Sequence, residues 1–207
     1  MKTLLICGSP NENGCTYTAL SEVEKVLNGY GVETEIYQIG KKPIYGCMSC
    51  RACFKSGKCA IDDDVNVIAS RLDEFDAIVI GSPVYYAAAN GALTAFLDRL
   101  FYSAGRKMAG KVGAAVVSCR RGGASAAYDQ LNKYLGISNM VVATSQYWNQ
   151  VHGGKAEDVL EDGEGLQTMR TLGENIAWLL RLIEFGKQNG IEGPKYEEKK
   201  IRTNFIR

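Results

Sequence analysis

The sequence has little that points to a nucleic-acid, membrane or exported protein. It contains one histidine and four prolines, and its formal net charge at pH 7 is only +1. Such a balanced charge gives no reason to expect a nucleic acid or an anionic membrane as partner. No apolar run is long enough to span a bilayer, and the short run at residues 1–7 ends at once in Gly-Ser-Pro-Asn, unlike a signal peptide. We therefore expect a cytoplasmic protein with no nucleic-acid or membrane partner.

Cysteine, in contrast, is abundant, with seven in 207 residues. In a cytosolic chain such cysteines more often bind metal or take part in catalysis than form disulfides. Four of them lie close together in the pattern C-x2-C-x2-C-x5-C, which suits a cubane iron–sulfur cluster because a short loop can wrap one face of it. Structural zinc sites usually need two separated cysteine pairs, and a loop of free thiols is the other alternative. The four candidate ligands are Cys47, Cys50, Cys53 and Cys59.

The first twenty residues contain a candidate anion site. An apolar strand at residues 3–7 is followed by a polar turn and then by a helical pattern from Thr16. The free N–H groups and the dipole at a helix N-terminus favour an anion. Gly8 and Gly14 match neither the dinucleotide fingerprint nor the nucleotide triphosphate loop, whereas the many side-chain donors suit a phosphate monoester. An ordinary polar turn between a strand and a helix is the alternative.

Strand and helix patterns alternate five times along the chain. Predicted strands cover residues 3–7, 32–39, 76–81 and 111–118, and a fifth starts at 140–143. The alternation predicts an α/β three-layer sandwich with a five-stranded parallel sheet in the order 2-1-3-4-5. That order brings the loops after strands one, three and four to one crevice, where such folds bind ligands. The three Asp residues at 62–64 indicate a helix N-cap rather than a metal site.

Three segments carry a resemblance to a known family. GSPNENGCTYTAL, GSPVYYAAANGALTAFLDR and SCRRGG together resemble the flavodoxin-like NAD(P)H-dependent FMN reductase family, over residues 1–185. The resemblance implies a flavodoxin-like fold, a bound FMN and NAD(P)H as co-substrate. It places the FMN phosphate at Ser9, Asn11, Thr16, Tyr17 and Thr18. It places the isoalloxazine ring along Pro83, Val84, Tyr85, Tyr86 and Asn90, with Ser118, Arg120 and Gly122 on the far side.

The same residues make physical sense for a flavin. Tyrosines offer apolar area with a polar tip to a flat, amphipathic ring, and a basic residue near the ring would stabilise the anionic reduced form. For Tyr85 and Tyr86 the alternative is core packing at the helix entry. The candidate basic residues are Arg120 and Arg121, for which the alternative is a solvated surface pair. His152, the only histidine, follows the fifth strand at the same rim. It could contact the flavin or nicotinamide or donate a proton, or it could be a structural hydrogen-bonding residue.

The cysteine spacing resembles the iron–sulfur flavoprotein branch of that family. The resemblance implies a [4Fe–4S] cluster in the inserted loop, residues 40–61, which passes single electrons to the FMN of a neighbouring subunit. Clusterless relatives often keep a similar run of cysteines, so the loop of free thiols stays open. The resemblance also implies an oligomer, a homodimer or homotetramer. We expect a domain at 1–185, followed at 186–207 by a tail that either frays or lies across a partner subunit.

Three functions remain in view. The first is an oxidoreductase in which FMN takes hydride from NAD(P)H and passes electrons to a quinone-like, nitro, azo or flavin acceptor, with no side chain as catalytic nucleophile. The second is an electron carrier that receives single electrons from a ferredoxin-like donor through the cluster. The third is a flavin-binding sensor with slow turnover, which only the free cysteines would favour.

Overall fold

The structure, a computed structural model, describes residues 1–194 together with 198, 201 and 203. The strands are β1 (Lys2–Cys7), β2 (Glu33–Gln38), β3 (Ala77–Tyr85), β4 (Ala88–Ala89), β5 (Val112–Cys119), β6 (Val141–Val142) and β7 (Gln150–His152). The helices are α1 (Cys15–Gly29), α2 (Cys53–Ser56), α3 (Asp64–Arg71), α4 (Gly91–Ala104), α5 (Ala124–Ile137), α6 (Ala156–Glu161) and α7 (Gly163–Gln188). Over the described residues, none of these helices combines the length and the apolar character that a membrane span requires.

The sheet has the predicted parallel order. Its strands run β2-β1-β3-β5-β6, and β7 also pairs with β5 in parallel. The prediction of a parallel sheet in this order is therefore confirmed, and β2 lies at an edge as its half-polar sequence indicates. The three inner strands β1, β3 and β5 are apolar and almost fully buried.

Helices cover both faces of the sheet. One core contains Leu4, Ile6 and Ile78 packed against α3, α4 and α5, and the other contains Leu5 and Val79 packed against α1 and α7. Alternate residues of one strand thus enter opposite cores, as the two-residue period of a strand requires. Because helices cover both faces, the ends of the sheet are where polar groups can remain accessible.

The fifth strand differs from the prediction. It is divided into β6 and β7, and the chain leaves the sheet between them. Asn149 is fully buried and stabilises the return of the chain to the sheet. Its side-chain N–H donates to the Ala115 carbonyl at 3.0 Å, and its backbone carbonyl accepts from Val117 N–H at 2.9 Å. The strand segments β6 and β7, of two and three residues, are too short for a periodic pattern, which is why this division was not predicted. The six residues of α6 make fewer than two helical turns, so they carry little helical periodicity either.

The last helix runs to Gln188, three residues beyond the predicted end of the domain at 185. After it the chain turns back, with Ile191 N–H donating to the Gly186 carbonyl at 2.9 Å. The predicted inter-subunit arm falls mainly on residues 195–207, and its apolar members Tyr196, Phe205 and Ile206 lie outside the described residues.

We expect Gly173→Ala to destabilise the protein by about 1–3 kcal/mol, since overpacking a close contact costs that much. A Cβ at Gly173 would lie 2.8 Å from Cβ of Val26, where α7 crosses α1. Gly136→Ala is the matched control, because Gly136 is also helical and a Cβ there meets nothing within 4 Å. It should stabilise the protein by about 0.5–1 kcal/mol. Urea denaturation measures both, and equal effects would refute the close packing of α1 against α7.

Candidate functional site

The loops at the carboxyl ends of β1, β3 and β5 meet at one rim of the sheet. Gly8 N–H donates to the Gly81 carbonyl at 2.8 Å, which joins the ends of β1 and β3. The hydroxyl groups of Thr16 and Ser118 lie 2.8 Å apart, both buried, and join the start of α1 to β5. Pro83 is the register partner of Ser118. The structure thus brings together the loops that the sequence singled out.

The amino end of α1 is open to a ligand. Its N-cap is Gly14, which offers no side chain to the first N–H groups of the helix. The Ser9 hydroxyl, almost fully buried, accepts from Asn11 N–H at 3.1 Å and thereby holds the turn. The Thr18 hydroxyl donates back to the Gly14 carbonyl at 3.1 Å. Free N–H groups at a helix start are a binding site for an anion.

A strained hairpin places two tyrosines on the surface. β3 and β4 form an antiparallel pair, with Tyr85 opposite Ala88. The turn residues Tyr86 and Ala87 have φ angles of 50° and 59°, a left-handed conformation that non-glycine residues rarely adopt. Tyr86 is completely exposed and Tyr85 is 44% exposed, which excludes the core-packing alternative for both in this chain. Strain of this kind often accompanies a functional site.

Gly123 brings the hairpin against the loop after β5. It is the N-cap of α5, and its φ of 92° is one that side chains rarely tolerate. A Cβ at this position would lie 2.7 Å from the Ala87 Cα atom. The two loops therefore approach at backbone distance. In this loop Arg120 and Gly122 are exposed, and Cys119 donates to the Gly122 carbonyl at 3.0 Å.

Asn90 and His152 have structural partners at the same rim. The Asn90 side-chain oxygen caps α4, accepting from Ala92 and Leu93 N–H at 2.8 and 3.2 Å. His152 lies within β7, opposite Cys119, and its Nε2 is 3.3 Å from the Gln150 side-chain nitrogen. Both predicted residues thus lie at the rim, and His152 ends a strand rather than following one.

Sequence reasoning missed two contributors to this rim. The Gln38 side chain, at the end of β2, donates to the Ser9 carbonyl. The loop after β7 provides the Gly153 carbonyl, which accepts from the Cys15 thiol at 3.5 Å. Burial raises the pKa of the Cys15 thiol, so it stays neutral beside the anion site. Neither contact has a local sequence signal, because each joins distant parts of the chain.

The four clustered cysteines line a single pocket beside α4, away from this rim. Cys47 and Cys50 are exposed, whereas Cys53 and Cys59 are half-buried. Burial raises the pKa of the Cys53 thiol. The structure therefore gathers the predicted ligands in one place. The lining also includes Met48, Arg51, Ala60, Ile61, Arg99, Tyr102 and Ser103.

The backbone of this cysteine loop is wound tightly. Ser49 and Arg51 have φ angles of 54° and 59°, and they flank Cys50. Left-handed residues of this kind turn successive N–H groups towards one side, a geometry that many phosphate and iron–sulfur sites use. Asp63 is the N-cap of α3, accepting from Val65 N–H at 3.1 Å, which confirms the predicted cap.

The four sulfur atoms do not close around one ion. Within the described residues, no group of three or more His, Cys, Asp or Glu side chains could hold a metal ion. A tetrahedral zinc site would need all its sulfurs about 2.3 Å from one centre. In a cubane cluster each thiolate binds a different iron, so its ligands share a pocket while standing farther apart. The donor set and the shared pocket fit a cluster better than a single ion.

A parallel sheet of this order, with polar loops at the ends of β1, β3 and β5, defines the flavodoxin-like class. Solved structures agree on the fold. One of RosB with a bound riboflavin phosphate intermediate superimposes with a TM-score of 0.69 at 16% identity, covering 100% of this chain and 92% of that one. The NAD(P)H:acceptor oxidoreductase FerB of Paracoccus denitrificans gives a TM-score of 0.65 at 16% identity, covering 87% and 97%.

Sequence comparison then identifies the family. The profile described as NADPH-dependent FMN reductase matches residues 1–154. An iron–sulfur flavoprotein of Methanocaldococcus jannaschii is 33% identical over 192 residues, covering 89% of this chain and 100% of that protein. One of Archaeoglobus fulgidus is 29% identical, covering 86% and 97%. The chain belongs to the NADPH-dependent FMN reductase family, in its iron–sulfur flavoprotein branch. It is accordingly an NAD(P)H-dependent flavin oxidoreductase with FMN as cofactor.

We expect Asn66→Ala to loosen the cysteine loop locally. The Asn66 side chain accepts from Cys59 N–H at 2.9 Å and donates to the Cys59 and Ile61 carbonyls at 3.0 and 3.2 Å. Its loss should cost about 1–2 kcal/mol and speed hydrogen exchange at Cys59 N–H. Ser70→Ala, an exposed change on the same helix, is the control. Unchanged exchange at Cys59 would show that other contacts hold this loop.

Proposed function

We propose that FMN in this protein takes hydride from NAD(P)H and passes electrons to a quinone-like, nitro, azo or free-flavin acceptor. The observation that carries the proposal is the meeting of the β1, β3 and β5 loops beside the uncapped start of α1. When bound, FMN supplies the redox chemistry itself, so the protein has to bind it, orient it and control access to it. No side chain is required as nucleophile.

At the phosphate, the chain provides N–H groups and hydroxyls. The N–H groups at the start of α1 would bind the phosphate oxygens, helped by the helix dipole. The buried Thr16–Ser118 pair would orient this end of the site, because each hydroxyl can donate to only one partner. The remaining phosphate-binding residues in the proposal are Ser9, Asn11, Tyr17 and Thr18.

At the ring, one side is the strained hairpin and the other is the loop after β5. Tyr85 and Tyr86 are exposed at the rim and so free to pack against an amphipathic ring. Arg120, also exposed, would place positive charge near the reduced flavin. The other ring-side residues in the proposal are Pro83, Val84, Asn90, Ser118, Gly122 and His152.

A second function is supported by the cysteine pocket. Cys47, Cys50, Cys53 and Cys59 would each bind one iron of a [4Fe–4S] cluster, which supplies single-electron transfer. The relatives of Methanocaldococcus jannaschii and Archaeoglobus fulgidus are named iron–sulfur flavoproteins, which agrees with this assignment. The protein would then act as an electron carrier that receives electrons from a ferredoxin-like donor.

The two sites are separated along α4. The helix begins at the rim, just after Asn90, and Arg99 lines the cysteine pocket. Nine residues at 1.5 Å each put about 14 Å of helix between them. A homodimer or homotetramer that places the pocket of one protomer against the rim of another would shorten the path for electrons.

One purification distinguishes these functions. We expect the protein isolated without oxygen to contain one FMN per chain, visible in its absorption spectrum. Rapid bleaching by NADH or NADPH with no iron present supports the reductase alone. About four irons and matching acid-labile sulfide per chain, with no response to either nucleotide, supports the carrier. A colourless protein that does not bind added FMN at micromolar concentration contradicts both.

We expect Tyr86→Gly to weaken FMN binding about tenfold, since it removes an aromatic surface from the rim. The same change relieves the strain at φ 50°, so the FMN-free protein should keep its free energy of unfolding or gain up to about 1 kcal/mol. Tyr86→Phe keeps the ring and should bind FMN as the parent does. Flavin fluorescence titration measures the affinity, and an unchanged affinity in Tyr86→Gly would remove this residue from the proposed site.

A further inference from the structure

Arg99 is a charged residue with a buried side chain directly behind the cysteine pocket. It is 1% exposed and lies on α4. Its Nε–H donates to the Cys59 sulfur at 3.2 Å, and its other N–H groups donate to the Tyr45 and Ile61 carbonyls at 3.3 and 2.9 Å. Two further bonds, at 2.6 and 2.8 Å, go to the two carboxylate oxygens of Asp63. All five donors of the guanidinium are therefore used.

This arrangement gives the guanidinium a fixed position. The fork of Arg99 grips the Asp63 carboxylate through both oxygens, a geometry that only arginine provides. Asp63 is itself held, because it caps α3. A buried ion pair is costly unless its remaining groups are hydrogen-bonded, and here the carbonyls and the sulfur complete the set. The Nε–H group is thus aimed at the sulfur by four other contacts.

The bond to sulfur distinguishes Cys59 from the other three cysteines. In the described part of the chain, it is the one cysteine of the four whose sulfur accepts from a charged side chain. Cys47 and Cys50 lie on the exposed side of the loop, whereas Cys59 faces α4. Cys59 is also fixed through its backbone by Asn66. Of the four candidate ligands, Cys59 is therefore the one that both Arg99 and Asn66 hold in position.

We propose that Arg99 is a positioning residue for the iron–sulfur cluster, one that holds Cys59 in place to ligate and raises the reduction potential through its N–H···S hydrogen bond. The inference rests on the cluster proposed above. Reduction adds one electron to the cluster, supplied by an external donor, and breaks no bond. Because the reduced cluster is more negative, a donor N–H at a ligand sulfur stabilises it more than the oxidised cluster.

A purely structural Arg99 would behave differently. If it only tied the loop to α3 and α4, its replacement would lower cluster content or stability without moving the potential of the clusters that remain. The potential is thus the measurement that separates the two roles. It is measured by anaerobic dithionite titration of the whole protein, with the reduced cluster followed by electron paramagnetic resonance.

Arg99→Lys is the first variant. Lysine keeps the positive charge beside Asp63 but has three N–H donors and no fork, so it cannot serve the carboxylate and the sulfur together. We expect the equilibrium constant for one-electron reduction to fall about tenfold, which is a shift of about 59 mV to more negative potential. Arg71→Lys is the matched control, because Arg71 binds Glu35 at 2.7 and 2.6 Å, and among the described residues its side-chain hydrogen bonds go to Glu35 and Glu74 rather than to a cysteine. Its potential should equal that of the parent.

Asp63→Asn should shift the potential in the opposite direction. Asparagine and aspartate are about equally good N-cap residues, so α3 should still begin at the same position. The positive charge of Arg99, however, loses its counterion. The uncompensated charge should raise the potential. Opposite shifts in Arg99→Lys and Asp63→Asn support the proposal; shifts of the same sign overturn it. Where Asp63→Asn does not fold, the comparison of Arg99→Lys with Arg71→Lys decides alone.

The failures of the two proposals are distinguishable. A parent protein without iron overturns the cluster and, with it, the role of Arg99. A parent with about four irons per chain, together with an Arg99→Lys protein of unchanged potential, overturns the role of Arg99 and leaves the cluster standing.

Discussion

The burial of both faces of the parallel sheet constrains everything else in this molecule. The inner strands are apolar on both sides, with Leu4 and Ile6 in one core and Leu5 and Val79 in the other. Neither face can therefore admit a polar ligand without losing core packing. What remains is the rim at the carboxyl ends, where the backbone N–H groups of helix starts are free and the loops can vary without disturbing the core.

The rim shows how a stable core supports strained local structure. The left-handed Tyr86 and Ala87 are held because the hairpin below them is part of β3 and because Gly123 lets the next loop approach at backbone distance. Strain of about 1–3 kcal/mol per residue persists only where the surroundings determine the conformation so fully. On the other side of the site, the buried hydrogen bond between Thr16 and Ser118 fixes the start of α1 against β5. Both features fix the position of groups at the rim.

The cysteine loop is organised by polar contacts instead. Residues 40–61 contain five Lys or Arg and no Asp or Glu. Cys47 and Cys50 are exposed, so apolar burial contributes little at that side of the loop. Asn66 and Arg99 provide the fixed points, one through the backbone of Cys59 and the other through its sulfur. Such a loop can be shaped for a cofactor by a few hydrogen bonds.

Much of this followed from the sequence alone. The alternation of strands and helices, the apolar inner strands and the cysteine spacing are local patterns, and for that reason they predict the sheet order and the clustering of the four cysteines. The sequence also marked the loops after β1, β3 and β5, because turn residues and side-chain donors are readable one by one.

The remaining features depend on contacts between residues that are distant in the sequence. The division of the fifth strand depends on the buried Asn149. The exposure of Tyr86 depends on a turn with a φ angle of 50°, a conformation that non-glycine residues rarely adopt. The contact of Arg99 with Cys59 joins residues 40 positions apart. From the sequence alone, an arginine in an amphipathic helix is expected to lie on the surface. Hydrogen bonds between distant residues produce no periodic sequence pattern, so the acceptors of Arg99 could not be predicted.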